Sequence, residues 1–596
     1  MTSSPDDTPP ALASMWRLCR LGYSHEPGLL IFALVTSLLS AVPDALIALL
    51  LKLLADGAIA GDRRRVLFAV LGMGAAVTLT WLLRVVASRV TRRFRDKVTI
   101  VLESHVAALQ ASISTIEHHE RRDFLDRLAV LRTQIFVLDH MYMSLFSTCG
   151  WIVRLGLTAA LLMSIHPALA LLLVFAAPTV GTASWRPGVE RAVEERAASH
   201  NRLAAHLFAT ATAAAPGKEV RVTGIGPQLV QRRRQEWERW YAAVSSTRWT
   251  SAVWHAAAWT VFGLGFVGAV VFVASGIHGS AGDVLLVLAA GGRLSAYVAA
   301  TMAEIGFLRG IWLDGSRRLA WLEDYAAGLT EHADEKPPDA LQVGIAFEQV
   351  SFAYPGSDAL VLDEVDLDLP AGAVVAVVGE NGAGKSTLVK LLCKMYEPTR
   401  GRLLVDGRPL SAIASDAWRR RVSGAFQDFF RFELAARTSV GVGDLPAVDD
   451  DEAVQGAVSR AGAGDVVQRL ESGLDTQLGP TWPGGVDVSF GQWQKLALAR
   501  GFMRRDPLLL VLDEPTAALD AETEHELFAH YAQAARSGVV GGITILVSHR
   551  FSTVRMADLI VVMQGARIAQ VGSHEELMAR GGAYADLYSI QAAAYH

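Results

Sequence analysis

A membrane α-helical domain of six spans followed by an α/β domain is the fold class that this sequence predicts. Three observations predict it. Hydrophobic residues make up 51% of the 596-residue chain and charged residues only 19%. With a mean hydropathy of +0.29, that is too apolar for an ordinary soluble protein of this size. The long apolar runs are confined to the first 312 residues. From Val343 onward, short β-rich runs alternate with helical patterns, as in an α/β domain.

The elements follow in order. Residues 1–14 are polar and proline-bearing and read as a disordered N-terminus. They lack a basic region followed by a short apolar core and a small-residue cleavage site, so no cleavable signal peptide is expected. Met15–Tyr23 mixes Trp16, Leu18, Leu21 and Tyr23 with Arg17 and Arg20, the composition of an interfacial elbow helix. A bilayer core takes about 20 helical residues. Six runs qualify: Leu29–Ala55, Val66–Val90, Leu145–Ile165, Ala168–Trp185, Ser251–Ser275 and Ala281–Trp312. Short connections join the third run to the fourth and the fifth to the sixth. Long polar helical stretches separate the second from the third and the fourth from the fifth.

Charge sets the expected orientation. Arg84, Arg89, Arg92, Arg93, Arg95, Arg121, Arg122 and Arg127 lie in or beside the first long connection, and Arg221 and Arg232–Arg234 in the second. The shortest connections carry no Lys or Arg. Positive charge is retained on the cytoplasmic side, which puts the long loops, both termini and the α/β domain there, in a multi-pass protein of the cell membrane. Arg63–Arg65 argue the other way and are outnumbered. The expected domains are therefore a disordered 1–14, a six-span membrane domain over 15–325, a linker over 326–340 and an α/β domain over 341–596. A net charge of -5 gives no reason to expect a nucleic-acid partner. Cys19, Cys149 and Cys393 are far apart, which fits neither a disulfide framework nor a zinc site.

The α/β domain carries the chemistry. Ala373–Val378 reads as a buried strand and feeds into Gly379-Glu380-Asn381-Gly382-Ala383-Gly384-Lys385-Ser386-Thr387, after which a helix begins. This is the phosphate loop GxxxxGK[ST] in its strand–loop–helix context, so the domain reads as a P-loop nucleotide-binding domain. Glycines let successive N–H groups turn onto phosphate oxygens, and the helix N-terminus adds its positive end. Lys385 is placed to reach the outer phosphates and Ser386 to ligate Mg²⁺. A second strand, Leu508–Leu512, ends in Asp513-Glu514. There Asp513 would hold the magnesium shell and Glu514 would polarise the attacking water. A third strand, Thr544–Ser548, ends in His549, which could face the γ-phosphate from the far side.

Residues 340–596 resemble the nucleotide-binding domain of the ATP-binding cassette family. The decisive run is Val488-Ser489-Phe490-Gly491-Gln492-Trp493-Gln494, preceded by Gly484-Gly485 and followed by Lys495–Arg500; it is similar to the family's signature sequence. The resemblance implies that Tyr354 stacks on adenine and that Gln427 is the Q-loop glutamine, near the metal. It implies that Ala518-Leu519-Asp520 is the D-loop and His549 the switch histidine. It also implies that Ser489, Gly491 and Gln492 serve the ATP of an opposite subunit. Phe490 stands where the family usually has glycine, which puts in question the site that this signature completes. Six spans fused ahead of one cassette resemble the family's half-transporter exporters.

That resemblance implies ATP-driven export by alternating access, with ATP and Mg²⁺ as cofactors. It implies a dimer, with itself or with a paralogue, embedded in a lipid bilayer. Ser112–Arg122 and Ala215–Pro227 become the expected coupling segments, where Glu219 and Arg221 could pair with the cassette. The competing reading is a non-transporting, ATP-gated membrane regulator or assembly protein. Nothing in the sequence names the cargo. Asp44, Arg154, Arg293 and Glu304 fall inside the expected spans, where ionisable groups either pair or line a pathway. Arg293 is expected to line the pathway.

Overall fold

The computed structural model describes residues 9–121, 124–125, 127–128, 131, 140–213, 216–276, 279–307, 313–329, 331, 333–514, 541–548 and 554–594. The chain divides into two compact units, Met1–Gln110 with Arg127–Tyr325, and Ala111–Asp126 with Ala326–His596.

The first unit is helical. Its helices are α1 (Ala11–His25), α2 (Pro27–Leu39), α3 (Ala41–Ile59), α4 (Arg63–Ser112), α5 (His140–Met163), α6 (Leu171–Arg196), α7 (Ala198–Thr212), α8 (Gly217–Thr223), α9 (Gly226–Val271), α10 (Ala281–Leu286), α11 (Gly292–Phe307) and α12 (Leu313–Gly328). Among the described residues, six helical stretches are long and apolar enough to cross a membrane: Pro27–Ile59, Arg63–Ser112, Tyr142–Met163, Pro167–Arg196, Gly226–Gly276 and Ala281–Gly306. The chain is a multi-pass membrane protein. Pro27 opens α2 at a position whose N–H has no helical partner anyway. Pro43 lacks the N–H that would bond back one turn, and α2 passes into α3 there. The sixth run is not one uniform helix. A π-turn at Val287–Gly291 separates α10 from α11 where two glycines, Gly291 and Gly292, meet. Residues 308–312 at its end lie outside the described residues.

This unit exposes many bulky apolar side chains along its spans, beside a buried core around Leu162, Leu172, Phe262 and Val273. Along the apolar first part of α4, up to Val90, the buried positions are small, Ala69, Ala76, Thr80 and Ala87, while Phe68, Leu71, Trp81 and Leu82 are exposed; farther on, Phe94, Val98 and Leu102 are buried. Bulky apolar side chains outward and small ones between helices is the arrangement a lipid solvent selects. Close approaches depend on glycine. A Cβ on Gly265 of α9 would lie 2.4 Å from the ring of Phe175 on α6.

The ionisable groups inside the spans find one another. Asp44 of α3 accepts hydrogen bonds from Arg293 Nη1 at 3.1 Å and from the Tyr297 hydroxyl at 3.0 Å, both on α11. Arg154 of α5 stands 3.6 Å from the same carboxylate and donates to Ser40 Oγ at 3.3 Å. The Ser144 hydroxyl donates to Glu304. Arg293, expected to line a pathway, is paired with an acid, though its side chain stays 44% exposed.

The second unit has two sheets. Its strands are β1 (Gly344–Ala353), β2 (Leu360–Pro370), β3 (Val374–Gly379), β4 (Arg400–Val405), β5 (Arg408–Pro409), β6 (Val422–Ala425), β7 (Leu509–Asp513), β8 (Ile543–Val547), β9 (Leu559–Gln564) and β10 (Arg567–Gly572). Its helices are α13 (Lys385–Leu392), α14 (Ser415–Arg419), α15 (Ala436–Gly441), α16 (Asp451–Arg460), α17 (Gly464–Arg469), α18 (Phe490–Gly501), α19 (His574–Arg580) and α20 (Ala583–Ala594). The smaller sheet runs β2-β1-β4-β5 and the larger β10-β9-β3-β8-β7-β6. In the larger sheet β3 pairs parallel with β8 and β9, and β7 parallel with β6 and β8. The strands Val374–Val378 and Ile543–Val547 are buried at every residue, as a parallel sheet covered on both faces requires. One core lies between the sheets, around Trp418, Phe347 and Leu388. A second gathers α15, α16 and α18.

The expected coupling segments differ. Residues 111–126 belong to the second unit, where Ile116 packs against the core and its N–H donates to the Met395 carbonyl at 3.1 Å. Arg122 is outside the described residues. In the other segment α8 buries none of its residues, and Val222 is 87% exposed. Arg221 donates to the Gly217 carbonyl of its own helix at 2.9 Å.

Candidate functional site

Three parallel strands deliver their C-terminal ends to one place, the position where open α/β sheets bind ligands. Strand β3 ends at Gly379, and the loop that follows enters α13 at Lys385. The loop needs its glycines. At Gly379, φ is +152° and a Cβ would lie 2.3 Å from the Met563 carbonyl oxygen. At Gly384, φ is +98° and a Cβ would lie 2.7 Å from the Val361 carbonyl oxygen. Lys385 folds back over the loop and donates to the carbonyls of Gly379 and Glu380, each at 2.9 Å.

Strand β7, paired with β8, ends at Asp513. Glu514 then adopts the left-handed φ of +46°, unusual for a residue with a Cβ, while its N–H donates to the Val547 carbonyl at 3.0 Å. That turn aims the carboxylate at Gln427, whose Nε2 donates to Glu514 Oε2 at 2.9 Å. Gln427 follows β6, the neighbour of β7 in the sheet.

These groups surround a cavity of about 830 Å³ lined by Tyr354, Val361, Asn381, Gly382, Gly384, Lys385, Ser386, Thr387, Gln427 and Glu514. The Tyr354 hydroxyl and Thr387 Oγ1 share a hydrogen bond of 3.0 Å. Asp513 lies behind the lining, only 6% exposed. Burial pushes its carboxyl up; the Ser386 hydrogen bond and Lys385 oppose this. Among the described residues its Oδ1 is buried without a hydrogen-bond partner. Burial also lowers the Lys385 ammonium, against the pull of Glu514 and Asp513. The cavity is thus lined by glycines of the loop with one cation, one carboxylate and a glutamine, and Asp513 is buried behind them. A glycine-rich loop at a helix N-terminus with a lysine is the arrangement that binds phosphate groups.

The signature run lies elsewhere. Ser489 caps α18: its hydroxyl accepts from the Gln492 N–H at 3.3 Å, and Gln492 Oε1 accepts from the Ser489 N–H at 2.8 Å. This capping box explains why the helix starts there. Phe490 is 55% exposed, its ring 5.4 Å from that of Phe429 and 5.5 Å from the Arg431 guanidinium. Ser489, Gly491 and Gln492 do not line the cavity. His549 and Ala518–Asp520 lie outside the described residues.

Sequence reasoning missed Val361, an apolar wall residue at the start of β2. It also missed Lys390 and Tyr396, which stand behind Tyr354, with Lys390 Nζ 5.1 Å from the Tyr354 ring centre and the two tyrosine rings 5.5 Å apart, edge to face. Lys390 lies five residues beyond Lys385 on α13, and that spacing could have flagged it.

Residues 362–517 match the family described as ABC transporter. The Nisin transport ATP-binding protein NisT of Lactococcus lactis is 37% identical over 239 residues, covering 40% of this chain and 39% of that protein. An ATP-dependent lipid A-core flippase of Chromohalobacter salexigens is 40% identical over 255 residues, covering 43% and 42%. The Cyclolysin secretion/processing ATP-binding protein CyaB of Bordetella pertussis is 39% identical over 264 residues, covering 44% and 36%. The chain thus spans about two fifths of the length of the curated relatives it matches. A solved structure of a bacterial Atm1-family ABC exporter with ATP bound superposes with a TM-score of 0.77 at 24% identity, covering 96% of this chain and 99% of that one.

Proposed function

We propose that this chain, which belongs to the ABC transporter family and has the fold of an ABC exporter, is a half-transporter that couples ATP hydrolysis to export across the cell membrane. The observation that carries the proposal is the bare, buried Oδ1 of Asp513 beside the phosphate loop. A buried carboxylate oxygen without a partner costs stability unless something occupies it. Here the natural occupant is Mg²⁺ held by Asp513, Ser386 and Gln427, a hard-oxygen donor set that fits that ion. When bound, Mg²⁺ neutralises charge on the phosphate oxygens.

The remaining steps belong to the chain. The N–H groups from Asn381 to Thr387, with the N-terminus of α13, bind the phosphates. Lys385 exchanges two carbonyl partners for phosphate oxygens. Tyr354 stacks the adenine. Glu514, oriented by Gln427, aligns a water and takes its proton as the water oxygen bonds to the γ-phosphorus. The bond from the γ-phosphorus to the β–γ bridging oxygen breaks, leaving ADP and phosphate. His549 would face the γ-phosphate opposite Glu514.

Ser489, Gly491 and Gln492 lie off the cavity, so they serve the ATP of a second half-transporter, a copy of this chain or a paralogue. Two ATP molecules then close two cassettes, and hydrolysis reopens them. The arginine-rich long loops support a cytoplasmic side for the cassette and both termini. The cargo is a small molecule, lipid or peptide.

Transport itself is the test. Inside-out vesicles with the purified chain should accumulate at least one member of a broad panel of lipids, peptides and amphiphiles when MgATP is supplied. Vesicles with Glu514→Gln protein should not. ATP turnover with no compound moved across the full panel would favour an ATP-gated switch over an exporter.

A further inference from the structure

We propose that Glu120 is a positioning residue for the nucleotide base: it holds from behind the tyrosine ring on which the base stacks, and so ties base binding to the chain segment between the second and third spans. The proposal rests on Tyr354 being the ring that adenine meets.

Glu120 follows the short 3₁₀ turn Glu117–His119 in the segment 111–126, which belongs to the second unit. One of its carboxylate oxygens accepts from Lys390 Nζ at 2.9 Å and the other from the Tyr396 hydroxyl. Both partners reach Tyr354. Lys390 sits over the faces of both tyrosines, 5.1 Å from the centre of Tyr354 and 5.7 Å from that of Tyr396. The two rings meet edge to face. On its other side the Tyr354 hydroxyl is bonded to Thr387 of the phosphate loop. The ring is therefore clamped between the loop that takes the phosphates and a carboxylate from a distant stretch of sequence. Burial pushes the Glu120 carboxyl up, but the Tyr396 hydroxyl and the Lys390 ammonium outweigh it and hold it below its ordinary range. Glu120 is thus anionic, and it keeps Lys390 directed at the aromatic pair.

Stacking depends on ring placement, because a base gains contact energy only where its face meets the aromatic face. Removing Glu120 frees Lys390 and leaves the buried Tyr396 hydroxyl without this acceptor, so the Tyr354 ring loses part of its backing. The phosphate contacts stay intact, since Lys385 and the loop N–H groups have no contact with Glu120. Glu120 should therefore affect a ligand that carries a base and spare one that does not.

Calorimetric titration of the full-length protein with MgATP and with magnesium tripolyphosphate separates the two. Glu120→Ala should raise the Kd for MgATP about fivefold, part of the worth of one stacking contact, and leave tripolyphosphate binding unchanged. Glu120→Gln keeps a hydrogen bond to Tyr396 but loses the charge, and should fall between. In a Tyr354→Ala background, Glu120→Ala should add nothing. Equal weakening of both ligands, additive losses with Tyr354→Ala, or no change for MgATP would each overturn the proposal. Failure of the underlying reading has a separate sign: Tyr354→Ala by itself would leave MgATP binding unchanged.

Discussion

Asp44 and Asp513 are two carboxylates inside the protein with opposite surroundings. Asp44 is closed off by Arg293, Tyr297 and Arg154. Asp513 has one buried oxygen with no hydrogen-bond partner among the described residues. The first is a structural junction, and the second is the residue proposed to hold the metal. Removing the acid from a buried charge cluster strands its cations, which costs about 3–5 kcal/mol. Asp44→Asn should therefore lower thermal stability in detergent sharply, because Arg154 is only 12% exposed. Arg293→Gln should cost much less, since that side chain is 44% exposed. Equal melting of both variants with the wild type would contradict the junction. The charges themselves were legible, as ionisable residues in apolar runs. Their meeting was not, because Asp44, Arg154 and Arg293 sit on three different spans and helical periodicity says nothing about which faces meet.

Elements show a similar division. The phosphate loop, the strand ending at Asp513 and the signature helix were each legible from residue type and spacing, because every one depends on local backbone chemistry. The π-turn at Val287–Gly291 was not, since an apolar run reads the same in either helical form. Nor was the separate behaviour of the two expected coupling segments, 111–126 belonging to the second unit and α8 exposed. The signature helix carries the main consequence at this scale. Ser489 begins α18, away from the cavity that Ser386 lines. With Cys19, Cys149 and Cys393 replaced, Ser386→Cys and Ser489→Cys should crosslink between chains under a thiol oxidant, and MgATP should change the yield. Crosslinks confined to single chains, or a monomer with full ATPase activity, would contradict a shared site. Phe490 presents its ring at the start of this helix, beside Phe429 and Arg431. Nothing in the structure explains why a glycine would be better or worse there.

At the scale of the whole molecule, two solvents shape one chain. Bulky apolar residues are exposed along the spans, whereas the second unit buries its valines and leucines in the usual way. The energy source belongs to the cassette alone, and the account stands or falls on it. ATP hydrolysis by purified wild-type and Glu514→Gln proteins, measured beside ATP binding, is the most direct test. The variant should bind ATP as the wild type does and turn it over about 10²-fold more slowly or worse, the ordinary contribution of a general base. Near-normal turnover by Glu514→Gln protein, or a wild-type chain that does not hydrolyse MgATP at all, would contradict the account.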